Sequence, residues 1–219
     1  MEMLRRWRTL GLIAVGYMAG GAGYVWLPGG PAYLSDPAFV SRPSIRVLLA
    51  LLLPTTAAAI YGAVRVVWRR DPVRDPDEAF ESGYEPFLFA VAAFILALHL
   101  MVLGVLTGAI PQSREALSRA VIVLVGLLLV SIANLLPRTR PNLAIGFRTR
   151  WTLENRHLWM AIHRTAGYFG VVLGLMMAMS GALLPKAAMQ AVIGWGTFAG
   201  VVMFALFICK HAAASQASR

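Results

Sequence analysis

The strongest constraint in this sequence is the recurrence of apolar runs about twenty residues long, the length an α-helix needs to cross a bilayer core. Six runs can be marked, at residues 10–27, 45–68, 87–110, 117–136, 165–184 and 188–209. Backbone inside hydrocarbon must satisfy its own N–H and C=O groups, so runs of this length with few charges read as helices. Composition agrees, with 58% of residues hydrophobic and only 14% charged, against about 25% charged in soluble domains. The expectation is a single polytopic domain over 1–219, an all-α membrane protein with six transmembrane helices.

Smaller signals refine these spans. The run after Arg5, Arg6 and Arg8 exceeds a signal-peptide core and has no A-x-A cleavage pattern, so it reads as an uncleaved first span. Gly16, Ala19, Gly20 and Gly23 form one small-residue stripe; Gly170, Gly174, Ala178 and Ala182 form a second. Such stripes let helices approach closely, within one chain or in a homo-oligomer. Pro54 predicts a kink in the second span, and the tail from Lys210 reads as frayed. The single cysteine, Cys209, excludes an internal disulfide and reads as a buried thiol ending the sixth span.

The net charge of +10 does not point to nucleic acid, because the basic residues flank apolar spans and read as topology signals and headgroup contacts. With the N-terminus inside, fifteen Lys and Arg fall on the inner side and five on the outer: Arg42, Arg46, Arg114, Arg119 and Lys186. The positive-inside rule therefore puts both termini in the cytoplasm. Trp7, Trp68, Trp151 and Trp159 then lie near the inner interface and Trp26 near the outer one.

The long segment 134–164 breaks the apolar pattern. It carries Arg138, Arg140, Arg148, Arg150, Arg156 and Arg164 against one acid, Glu154. Leu136-Pro137 predicts the end of the fourth helix, Pro141-Asn142 a turn, and Gly146 a backbone geometry other residues resist. Thr152 reads as an N-cap with Glu154 in the first turn. From Leu153 to Arg164, the spacing of Leu158, Trp159 and Ile162 predicts a short cytoplasmic amphipathic helix lying in the interface before the fifth span, with Arg156, His163 and Arg164 off that face. The arginines read either as contacts to anionic lipid or as a basic platform built on Phe147–Trp151. The acidic loop between spans two and three, with Asp71, Asp75, Asp77, Glu78, Glu81 and Glu85, is the partner expected to dock there.

No enzyme constellation stands out. No acid lies in mid-membrane, which argues against a carboxylate proton relay. His99 is the one ionisable residue deep in a span. It reads first as an interhelical hydrogen-bonding residue, second as a ligand or proton site. Zinc spacing is absent, and His99 and His163 differ too much in depth to share a haem, so neither metal nor cofactor is expected.

Within this segment Asn134, Pro137, Pro141-Asn142, Gly146-Phe147-Arg148-Thr149, Trp151-Thr152-Leu153, Trp159, His163-Arg164 and Gly167 resemble the signature of the SdpI family. That signature is close to G-N-x-L…K-P-N-x-x-x-G-I-R-T-P-W-T-L…V-W-x-x-T-H-R. The resemblance covers 134–167 and, loosely, the last two spans. It implies a non-enzymatic protein of the bacterial cytoplasmic membrane that protects against a secreted membrane-active peptide toxin. It also implies signalling by capture of a cytoplasmic repressor, as described for the family's prototype. The residues it implicates are Asn134, Pro141, Asn142, Gly146, Arg148, Thr149, Trp151, Thr152, Leu153, Trp159, His163 and Arg164, in architectural and switching roles. The chain departs from the family at Ser131–Ala133, where glycine is frequent, and at Arg150, in place of a common proline. Loop 28–44 also lacks the histidine that many members carry. Two alternatives stay open: a small transporter or lipid-handling protein using a groove near His99, and a membrane sensor that captures a soluble regulator.

Overall fold

Each apolar run is helical in the structure, a computed structural model that describes residues 2–26, 42–73, 83–110 and 113–217 and the side chains of 7–209 within them. The helices are α1 (Glu2–Trp26), α2 (Pro43–Arg70), α3 (Glu85–Leu106), α4 (Arg114–Leu135), α5 (Arg150–Glu154), α6 (Arg156–Leu183) and α7 (Lys186–Ala217), with a 3-10 turn at Leu136–Arg138. Of these, α2, α3, α4, α6 and α7 are long and apolar enough to cross a membrane. The chain is a multi-pass membrane protein, all-helical over the described residues. α1 is 25 residues long, but its first turns carry Glu2, Arg5, Arg6 and Arg8, and glycine and tyrosine dilute the rest.

Several ends differ from the expected ones. The third span stops at Leu106 rather than 110, because Gly108 takes φ 77° and the Ile110 N–H turns back to the Gly104 carbonyl at 2.9 Å. The chain after Lys210, expected to fray, continues α7 to Ala217. Cys209 is exposed on α7, not buried, because that helix packs along one side only.

The chain divides into two compact units, Met1–Ala63 with Leu88–Leu117 and Val64–Phe87 with Ser118–Arg219. In the first, the predicted stripe on α1 is the packing surface. Gly16 faces Pro54 of α2 and Leu96 of α3, and Gly23 faces Leu103. A Cβ on Gly20 would collide with the Ala50 carbonyl, the group whose helical N–H partner Pro54 removes. Arg46 donates to the Tyr24 carbonyl and lies over the Tyr24 ring, capping the C-terminal end of α1.

In the second unit α4 and α6 run antiparallel in close contact. Added Cβ atoms would reach the Ala133 carbonyl at 2.9 Å from Gly167, the Gly126 carbonyl at 2.7 Å from Gly174, and the Gly174 carbonyl at 2.6 Å from Gly126. The stripe is thus Gly167, Gly170, Gly174, Ala178 and Gly181; Ala182, placed in it from spacing, is exposed. Arg119 of α4 donates to the Leu184 carbonyl at 2.7 Å and closes the end of α6.

Candidate functional site

The residues singled out between the fourth and fifth spans fold into a loop pinned onto the start of α6. Pro137 ends α4 in a 3-10 turn. Asn142 then organises the next turn. Its side-chain carbonyl accepts from the N–H groups of Ala144 (2.9 Å) and Ile145 (2.7 Å), and its amide donates to the Arg140 carbonyl at 2.8 Å. This is an Asx turn, and the side chain is buried.

Gly146 has φ 105°, and a Cβ there would land on Nε2 of His163. Only glycine meets both conditions. The bend aims the Phe147 N–H at that Nε2, 3.0 Å away. Because Nε2 accepts, the ring proton sits on Nδ1 and is donated to the Trp159 carbonyl at 2.8 Å. Trp159 stacks on the imidazole with centroids 3.9 Å apart and planes at 17°. Its indole N–H donates to the Thr139 carbonyl at 2.9 Å, and both rings are fully buried at 0% exposure. Trp159 is therefore no interfacial anchor, and His163 joins Leu158, Trp159 and Ile162 on the buried face of α6. The Trp159–His163 stack, with the Asn142 turn above it, ties the loop to the helix through bonds that each need one side chain.

The helix start differs from expectation too. Thr149, not Thr152, is the N-cap of α5, and Thr152 is its N3 partner in a reciprocal capping box. The Thr152 hydroxyl takes the Thr149 N–H at 2.9 Å and lies 2.7 Å from the Phe147 carbonyl. α5 lasts five residues. Asn155 then caps a new helix by accepting from the Leu158 N–H at 3.1 Å. Residues from Arg156 on are continuous with the span, so the helix expected over 153–164 is not a separate element: Asn155 breaks it near its start, and nothing breaks it before Leu183.

At the start of the acidic loop Asp71 docks on backbone N–H groups. One Asp71 oxygen accepts from the Leu143 N–H at 2.6 Å, and the other from the Val73 N–H at 2.9 Å. Arg148 reaches the carbonyl of the same Leu143. The Leu143 residue is thus held at its N–H by an anion and at its C=O by a cation. Asp75, Asp77, Glu78 and Glu81 lie outside the described residues. Arg150 pairs at 2.9 Å with Glu154, whose hydrogen bond and charge raise the arginine's pKa.

Of the implicated residues, Asn142, Gly146, Thr152, Trp159 and His163 are brought together, with Thr149 at the helix start and Pro141 and Leu153 half-buried beside them. Asn134, Arg148, Trp151 and Arg164 are exposed. Sequence reasoning missed Thr139 as a site residue, because its carbonyl rather than its side chain binds Trp159. It also missed Asn155, whose cap preference was the available signal. His99 belongs to the other unit. It is 1% exposed, and its ring faces the Gly16 backbone of α1, an interhelical polar contact that falls short of full hydrogen-bond geometry.

Residues 138–210 match the SdpI/YfhL protein family. The match overlaps the segment 134–167 whose motifs resemble that family. The SdpI/YfhL segment takes in α5, α6 and most of α7 and leaves α1 to α4 outside. No curated protein and no solved structure matches the chain.

Proposed function

We propose that the protein is an immunity-type protein of the bacterial cytoplasmic membrane, protecting the cell from a secreted membrane-active peptide toxin. The observation that carries this reading is the SdpI/YfhL match over 138–210, whose loop is the pinned network around Trp159 and His163. In this reading α1 is a sixth span, both termini are cytoplasmic, and the start of α6 lies at the inner interface. In this reading the work of the network is to hold the shape of the loop, because its bonds tie the loop to α6. The peptide is excluded or bound by the helices within the bilayer. The exposed arginines around Arg148 face the cytoplasm, where a repressor would be captured.

The test is survival. A susceptible bacterium expressing wild type or Arg148→Ala, at equal membrane levels, is challenged with a panel of membrane-active peptides. Protection by wild type, reduced in the variant, supports the reading. Protection by neither protein removes it.

A further inference from the structure

The exposed face of α6 changes character along its length. It opens with Arg156 and Arg164, continues through Tyr168 at 69% exposure, and then presents Val172, Leu175 and Met179 at 57%, 46% and 58%. From Arg164 onward the spacings are four, four, three and four, so these positions form one stripe down the helix, and Arg156 lies two turns ahead of Arg164 at the helix start. From Arg164 to Met179 the stripe rises about 22 Å at 1.5 Å per residue. The opposite face of α6 is used up by α4, through Gly167, Gly170 and Gly174. Neither cation is used in folding: the loop's buried network is complete without Arg156 and Arg164, and no acid pairs with either among the described residues.

We infer that this stripe is a binding site for one anionic phospholipid. Arg156 and Arg164 hold the headgroup phosphate, whose charge they complement. The Tyr168 hydroxyl lies at the glycerol level, where tyrosine is favoured at membrane interfaces. One acyl chain runs along Val172, Leu175 and Met179. Guanidinium forks suit phosphate oxygens better than an ammonium does. The apolar continuation distinguishes a lipid from a soluble acidic protein, which would need no stripe reaching this far. The inference does not depend on toxin protection.

Native mass spectrometry of the detergent-solubilised full chain tests it, titrating phosphatidylglycerol and phosphatidylcholine of identical acyl chains, with glycerol phosphate as a headgroup-only control. Wild type should retain phosphatidylglycerol over both others. Arg156→Gln/Arg164→Gln should lose that retention about tenfold or more, given about 1 kcal/mol per basic residue near an anionic surface. Arg114→Gln/Lys186→Gln, which removes equal charge elsewhere, should keep it. Equal retention of both lipids by wild type, or equal loss in both double variants, would overturn the site. So would retention of glycerol phosphate as strong as that of the lipid, or a dimer whose formation tracks Arg156 and Arg164 without lipid.

Discussion

Thr152 shows how much one buried hydroxyl can settle. It receives the Thr149 N–H and lies 2.7 Å from the Phe147 carbonyl, with no exposed surface. Thr152→Val keeps the shape and orphans both groups, at a cost of about 1–3 kcal/mol for each buried polar group left unmet. We expect a clear drop in the thermal unfolding midpoint in detergent, and an unchanged midpoint would show that the capping box does not hold the loop. The sequence pointed to this residue but not to its part. A reciprocal cap is usually recognised by Glu or Gln three residues after the Ser or Thr. Here the pattern is T-R-W-T, so the second threonine looked like the cap. Gly146 was easier to read, because a positive φ is a property of the residue type. Its second reason, the imidazole beneath it, belongs to a helix seventeen residues on and has no local signal.

Helix packing was legible wherever glycine spacing governs it, and the two ends of that rule can be set against each other. In Gly174→Ala the new Cβ meets backbone atoms of α4 at 2.7–2.8 Å, so the helices must part and stability should fall. Gly194 of α7 has nothing within 4 Å of such a Cβ. There the change should be neutral or stabilising by up to about 1 kcal/mol, the helical preference of alanine over glycine. Opposite signs in thermal unfolding would confirm the contact; equal effects would contradict it. Charge was read less well. Arg46 and Arg119, counted as topology signals, cap the ends of α1 and α6. The docking of the acidic loop is expected as ion pairing, and at Asp71 it is a carboxylate on a backbone N–H. Exchanging charges in Asp71→Arg/Arg148→Asp should therefore not restore the membrane level lost in Asp71→Arg alone, since no guanidinium can accept from the Leu143 N–H. Full restoration on a membrane immunoblot would reinstate the ion-pair account.

At the scale of the molecule, the all-helical membrane class followed from run length, because hydrocarbon leaves the backbone few alternatives. Five helices fulfil it by length and composition. The fate of α1 sets the topology of everything else. If α1 crosses, a reporter fused to the N-terminus and one fused to the C-terminus should both read cytoplasmic. A reporter active outside at the N-terminus and inside at the C-terminus would mean that five helices cross.

The bond from the Leu143 N–H to Asp71 joins residues 72 apart, and that separation orders events in time. Both α3 and α4 lie between its ends, so two helices must be synthesised and placed before the clasp can close. Closing so long a loop costs little more entropy than closing a shorter one, but it cannot happen early. The clasp is therefore a marker of maturation: a ribosome-bound chain halted before Leu143 leaves Asp71 without its distant partner. A quality-control protease that cuts between α2 and α3 would meet its substrate most readily in that interval.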